Sequence, residues 1–340
     1  MLKLNVLVAG STGYIGVELV KLLSRHQNIK IKYLCGKSSV GKQISIFDKD
    51  LKNKKLPKIT KYNKSYLKEV DIVFTALPNG EAQILSKDLL KNNKLIDLAA
   101  DFRISNPKLY KKFYKKKHNS IKNIKNSIYA LPELNKKILK NYKIIACPGC
   151  YPTSILLPLL PLLKKKLINQ KNIIIDSKSG YSGAGRGIHK KNAKKNLYES
   201  LSAYGVGWHR HNSEIEQEMS KICNKNFSFN FTPHLTPMFR GILSTIYLKT
   251  SKKNSAIKIY RNLKKFYRNS IFVRIAKLNS HISTNNTINS NNCVISVCKT
   301  KYKNKVIILS SIDNLIKGGA GQAVQNLNII YNLPESRGLK

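Results

Sequence analysis

The chain has 340 residues, 42% of them hydrophobic, with six cysteines and 62 Lys+Arg against 17 Asp+Glu, a formal net charge of +45. That length accommodates two domains with a core each; the absence of a run of about 20 apolar residues excludes a predicted membrane-spanning helix, and so few cysteines exclude a disulfide scaffold and suit a reducing, cytoplasmic setting. Charge alone points to a polyanion partner, but the lysines are scattered among many Asn and Ile, all AT-rich-codon residues, and no helix-turn-helix, zinc-finger or RNA-binding signature accompanies them.

The start "MLKLNVLVAG" runs into a glycine turn without a small-residue cleavage site, so no secretion signal is expected. Leu4 to Gly10 reads as a buried strand and Tyr14 to Ser24 as a helix with apolar Ile15, Leu19, Val20, Leu22 and Leu23. "IKIKYLC" is a second strand and Asp71 to Pro78 a third, followed by a helix near Glu81 to Lys91; "KLIDLAADF" is a fourth strand. Strands alternating with helices predict a Rossmann-type, doubly wound parallel sheet. Lys108 to Asn126, rich in Lys and Asn, reads as a loop or an exposed helix. After Cys150 six strand-like runs, from "NIIIDSKSG" to "KVIILSSID", have fewer helices between them, which suits a mixed or antiparallel sheet in a second, α+β domain. Asn279 to Asn292 reads as an exposed loop, and Ala320 to Tyr331 as a closing helix. The expected boundaries are 1–149 with 313–340 for the first domain and 150–312 for the second.

The first junction carries chemistry. "VAGSTGYIGVEL" places Gly10, Gly13 and Gly16 between a strand and a helix. Glycine lets backbone approach a pyrophosphate, and the amides of the helix start face the anion. Gly10, Ser11, Thr12, Gly13, Tyr14, Ile15 and Gly16 are therefore candidate dinucleotide contacts, with a plain structural turn as the alternative. An NAD site places Asp or Glu after the second strand; here "CGKSSVGK" offers Lys37, Ser38 and Ser39 and no acid before Asp48. Cation and hydroxyls favour NADP(H), although Lys37 is also one more lysine in a lysine-rich chain. Pro78, closing the third strand, and Gly183, in the glycine loop Ser177 to Gly187, complete the cofactor candidates of the strand ends and loops.

"IIACPGCYPTS" holds Cys147 and Cys150 in C-x-x-C spacing. Zinc lacks two further ligands at workable spacing, so no metal is expected. A redox pair belongs at the first strand–helix junction of a small domain, not after 146 residues of nucleotide-binding pattern. The remaining reading makes Cys150 a nucleophile at the start of a helix whose positive end favours the thiolate, with Cys147 a packed thiol. Its acid/base partner is sought in "AYGVGWHRHNSEIEQE", which supplies His209, His211, Glu214 and Glu216. The other five histidines (His26, His118, His189, His234, His281) read mostly as surface residues. Arg186 is available for an anion.

Together "GSTGYIGVEL", "DLAADFR", "YALPELN", "PGCYPT", "SGYSGAGR", "HRHNSEIEQ" and "DNLIKGGAGQAVQN" resemble the N-acetyl-γ-glutamyl-phosphate reductase family, related to aspartate-semialdehyde dehydrogenase and of glyceraldehyde-phosphate-dehydrogenase-like architecture. Ser154, Asn212-Ser213 and "KGGAGQA" depart from the family pattern without removing a chemical group. The resemblance implies an NADPH-dependent enzyme of arginine biosynthesis that reduces N-acetyl-glutamyl 5-phosphate to the semialdehyde. Cys150 would be the nucleophile and His209 the acid/base, with His211 the lesser candidate. Glu214 would orient that histidine and stand with Arg103 and Arg186 around the substrate; structural ion pairs are the other reading of the arginines. Asn314, with Lys317 and Gln322, would close the cofactor site. A homodimer or homotetramer acting on a small acyl phosphate is implied, with no specific nucleic acid and no membrane. Related acyl phosphates remain rival substrates, and a basic nucleic-acid-binding protein the rival of another class.

Overall fold

The computed structural model describes residues 3–186, 199–251 and 255–339. They form two compact units, Met1–Pro148 with Gly319–Lys340, and Gly149–Gly318.

The first unit is built on seven strands: β1 (Leu4–Ala9), β2 (Ile29–Cys35), β3 (Ile59–Thr60), β4 (Ile72–Thr75), β5 (Lys94–Asp97), β6 (Ser127–Tyr129) and β7 (Ile144–Ala146). Their order is β3-β2-β1-β4-β5-β7-β6, and every pairing is parallel. Strands such as Val6–Val8 and Ile72–Phe74 are fully buried, as sheets covered on both faces require. The order reverses where β1 meets β4, so the crevice beyond their carboxyl ends is a topological switch point. Helix Tyr14–Ser24 has the expected bounds. The helix expected over Glu81 to Lys91 stops at Leu85, because the chain turns back through hydrogen bonds such as Lys87 N–H to Ile84 O (3.1 Å). Closing helix Gly321–Ile330 packs on this unit and carries buried Gln325, Asn326 and Asn328.

The segment read as loop or exposed helix, Lys108 to Asn126, is more ordered than its composition suggests. Asn106 accepts hydrogen bonds from the Lys108 and Leu109 amides and Pro107 opens a helix to Tyr114, as capping rules allow. Its Tyr110 and Tyr114 are buried, and the Tyr110 hydroxyl donates to Asp101 (2.8 Å). His118 and His26 are buried too, against the surface reading; each finds a partner, Asp101 O (2.8 Å) and Asn328 Oδ1 (2.8 Å) respectively. His189 lies outside the described residues.

In the second unit β8 (Ile174–Gly180), β9 (Ser202–Ala203), β10 (Asn230–Thr236), β11 (Ile242–Lys249), β12 (Val273–Ile275), β13 (Cys293–Lys299) and β14 (Lys305–Ile312) form one mixed sheet, ordered β12-β13-β14-β11-β8-β10-β9. Alternate residues of β8 and β11, among them Ile175, Ser177, Ile242, Ser244 and Ile246, are buried. Asp176, Lys178 and Thr245, on the other face, are half-buried, and Tyr247 is exposed. The Asn279–Asn292 stretch is only partly exposed: Thr287 and Asn291 are buried, and the Thr287 hydroxyl pairs with Ser311 (2.8 Å).

Helix Cys150–Lys164 is buried along nearly its whole length despite Pro158 and Pro161. Proline at 161 removes the amide that would bond the carbonyl of residue 157. The hydroxyl of Tyr267 supplies the missing donor, at 2.6 Å from Leu157 O. Below the same helix Ser154 donates to Tyr151 O (2.9 Å) and meets Ser244 (2.7 Å), which also meets Ser177 (2.7 Å). The unusual Ser154 thus has polar partners in the core.

Candidate active site

The glycine turn opens a cleft of about 870 Å³ in the first unit. Gly10, Thr12, Gly13, Lys37, Ser38 and Pro78 line it. Gly10 has φ +84, and a Cβ there would stand 2.3 Å from Ala76 O, so only glycine fits. A Cβ on Gly16 would stand 2.1 Å from Gly10 O; that glycine lets the helix approach the strand and does not line the cleft. Nor do Ser11, Tyr14, Ile15 and Ser39: Ser11 is buried with its hydroxyl on Cys35 O (3.2 Å). Lys61, Tyr62, Leu77, Glu81, Ile84 and Leu85 are lining residues that the sequence patterns did not single out. Lys37 is tied to Glu81 at 2.6 Å. A bare backbone turn, a switch-point crevice and cations at its rim fit a dinucleotide.

In the second unit Cys150 is the first residue of its helix, with Gly149 as N-cap. Gly318 crowds it, and Gly149 crowds His211. A Cβ on Gly318 would lie 2.6 Å from Cys150 Cβ, and one on Gly149 2.6 Å from His211 Nε2. Gly318 sits in a π-helical turn, Ile316–Ala320, a rare geometry enriched at functional sites. Asp313 holds that turn by accepting the Leu315 (2.9 Å) and Ile316 (3.0 Å) amides, while its carbonyl takes the Gly318 amide (2.9 Å).

The histidine segment packs on the same helix start. The Tyr151 ring lies edge-on to His209 (5.5 Å) and His211 (5.9 Å). His209 Nδ1 accepts the His211 amide (3.2 Å), which leaves the neutral ring's proton on Nε2. Burial, with Arg210 beside it, pulls His209 down to about 4, so the ring is neutral at pH 7. Fully buried Glu214 accepts the Gly149 amide (2.9 Å) and stands 3.8 Å from His211 Nε2. It therefore joins the nucleophile turn to the histidine segment. The Tyr151 and Tyr204 hydroxyls pair at 3.0 Å.

Cys147 belongs to the first unit. It is buried, and burial pushes its thiol up to about 12, as a packed, inert thiol requires. All six cysteines are free. Arg103 is buried and gives two donors to backbone, Cys147 O and Leu98 O, both at 2.7 Å. In this state it braces the chain leading to Pro148. Arg186 is half-buried at the end of a described stretch, and Gly187 lies outside the described residues. Asn314 and Gly183 are in the second unit and not among the residues of the dinucleotide cleft. Asn314 donates to Ser182 (2.9 Å) and accepts the Gly241 amide (2.7 Å). Lys317 is buried in the second unit, whereas Gln322 is in the first.

Fold and site define the semialdehyde dehydrogenase class. Its NAD binding domain matches residues 5–142 and its dimerisation domain residues 150–314. Two aspartate semialdehyde dehydrogenase structures, that of enzyme II from Vibrio cholerae complexed with ASA (TM-score 0.72, 17% identity, 98% of this chain and 99% of that one) and that from Candida albicans with NADP (TM-score 0.66, 17% identity, 97% and 98%), share the fold. The proteins named N-acetyl-gamma-glutamyl-phosphate reductase from Desulforamulus reducens (42% identity, 99% of this chain and 98% of that one) and Clostridium botulinum strain Eklund 17B (43%, 100% and 98%) align end to end. A chloroplastic protein of Arabidopsis thaliana named as a probable one does so at 40%, over 97% of this chain and 82% of its own. The chain belongs to the N-acetyl-gamma-glutamyl-phosphate reductase family.

Proposed function

We propose that this protein reduces N-acetyl-L-glutamyl 5-phosphate to N-acetyl-L-glutamate 5-semialdehyde with NADPH, releasing phosphate, as a step of arginine biosynthesis. The observation that carries the reading is the Cys150 turn: a cysteine on the first residue of a buried helix, with its preceding amide held by Glu214 and the His209–His211 segment packed on the next residue.

The Cys150 thiolate attacks the acyl-phosphate carbon, the C–O bond to phosphate breaks, and a thioester remains. A thioester accepts hydride where a carboxylate does not. Hydride is what a bound reduced nicotinamide supplies. The His209 imidazolium, formed as the ring takes the Cys150 thiol proton, gives a proton to the carbonyl oxygen as the thiohemiacetal forms, and the ring takes that proton back as the S–C bond breaks to give aldehyde and thiolate. Amides at the helix start stabilise the developing oxyanion. Glu214 acts by position, fixing Gly149 and facing His211. Gly10, Thr12 and Gly13 would cradle the pyrophosphate, with Lys37, Ser38 and Pro78 beside them in the same cleft. Arg186 is the arginine we assign to the substrate's anionic end; Arg103 serves it through the backbone it braces.

The reverse assay tests this: phosphate-dependent reduction of NADP by N-acetylglutamate semialdehyde, run beside aspartate semialdehyde. Turnover with the first and not the second is expected, lost in Cys150→Ala with NADPH binding retained. Equal or better turnover with aspartate semialdehyde, or an active Cys150→Ala, overturns the reading. For assembly we infer a homodimer through the face of the second sheet that carries half-buried Lys178 and Thr245 and exposed Tyr247, or a tetramer built from it. Sedimentation at micromolar concentration should show no monomer.

A further inference from the structure

We propose that Lys61, rather than Lys37, is the cation that selects a 2′-phosphorylated dinucleotide. This rests on the NADPH reading above and deepens it. The position that separates the two nicotinamide cofactors is the tip of the second strand, where an acid binds the ribose 2′-hydroxyl in NAD sites. Here that tip is Gly36 to Ser38, and all three residues line the cleft. Lys37 reaches it, but Glu81 lines the same cleft and holds the Lys37 ammonium at 2.6 Å. The pair is neutral as a unit, so it offers an incoming phosphate little net attraction.

β3 brings a second cation to the same tip. The register sets Cys35 opposite Thr60, and the Gly36 amide donates to Thr60 O (3.0 Å). Lys61 is the next residue, exposed at the cleft's rim and part of its lining. Among the described residues no carboxylate pairs with it. Gly36 keeps the tip narrow, since a Cβ there would stand 3.2 Å from the Ile59 side chain and 3.3 Å from that of Thr12. An ammonium with its charge uncompensated, one residue beyond the paired strand end, is placed to meet a dianion carried on the ribose. Ser38 adds a hydroxyl donor at the same point.

The experiment is a fluorescence titration of the full chain with NADPH and with NADH, for the wild type and two variants. Lys61→Met keeps the length and apolar stem but removes the charge. Lys37→Met with Glu81→Gln removes the ion pair together, so neither partner is left charged. Loss of one charge-assisted contact corresponds to about 10- to 100-fold in affinity. Lys61→Met should therefore weaken NADPH by that factor and leave NADH within about twofold. The paired variant should keep the NADPH-to-NADH ratio within about threefold of wild type. A Lys61→Met chain that retains its NADPH preference, or a paired variant that loses it, overturns the assignment. A wild-type chain that binds NADH as tightly as NADPH overturns the NADPH reading itself, before any variant is compared.

Discussion

Gly318→Ala is the sharpest probe of the nucleophile turn. The added methyl carbon would start 2.6 Å from Cys150 Cβ and 3.1 Å from its Cα. Carbon–carbon contacts settle near 3.5–4.0 Å, so roughly 1 Å must be found by moving one partner. Gly318 has little freedom: its amide bonds Asp313 O (2.9 Å) in a turn that Asp313 also anchors by its side chain. Cys150 is therefore the partner that moves. A misplacement of about 1 Å at a reacting atom costs on the order of 100-fold in rate, while overpacking costs about 1–3 kcal/mol of stability. We expect kcat to fall by about 100-fold, NADPH affinity to stay within about twofold, and the iodoacetamide reaction of Cys150 to slow with a displaced pH profile. The reverse assay, a cofactor titration and thiol alkylation measure these in turn. A folded Gly318→Ala enzyme with wild-type kcat and an unchanged alkylation profile would refute the backstop role of Gly318.

Further expectations follow from single contacts. Tyr267→Phe leaves Leu157 O without its donor inside the core, and chemical denaturation should report a loss of about 1–3 kcal/mol; no loss would mean the carbonyl finds another partner. Limited alkylation of the native protein followed by peptide mapping should modify Cys150 and spare Cys147, whose buried thiol is pushed up to about 12; preferential labelling of Cys147 would reverse the roles of the pair. His209, His26 and His118 are all held below the ordinary histidine value by burial. The unfolded chain therefore binds protons first, and the stability these rings contribute is present above about pH 6.5 and lost as pH falls below it, for His209 down to about 4. Melting temperatures across that window should fall less steeply for His209→Asn than for the wild type; a parallel slope would contradict the depressed His209.

How far the patterns could be read depends on how local the signal is. Gly10 and Gly13 were legible because they interrupt an apolar strand at its junction with an amphipathic helix. The helix of Cys150 was legible from its apolar run, but not its tolerance of Pro161, since Tyr267 lies 106 positions away in the chain. Lys61 was invisible among so many lysines, because its place is set by a strand of two residues, Ile59–Thr60. Arg103 is a substrate candidate through the family resemblance; that its guanidinium also donates to two carbonyls, Cys147 O and Leu98 O, is set by tertiary packing that no residue spacing announces. Gly318 lay in a recognised motif, yet its contact with Cys150 depends on a π turn that no residue spacing announces. His118 seemed a surface residue within a run of lysines, and only the tertiary cluster around Asp101 buries it.

The gap that Pro161 leaves in its helix is also a socket. One phenol from the end of another helix plugs it, so a break in local bonding has become a point of attachment between two distant stretches of chain. Either side chain alone is a liability: the proline without its plug strands an acceptor in the interior, and the phenol without its gap competes with a backbone amide for the same oxygen. Drift at one position is thereby conditional on the other, and exchanging both at once should cost far less than the two single exchanges added together.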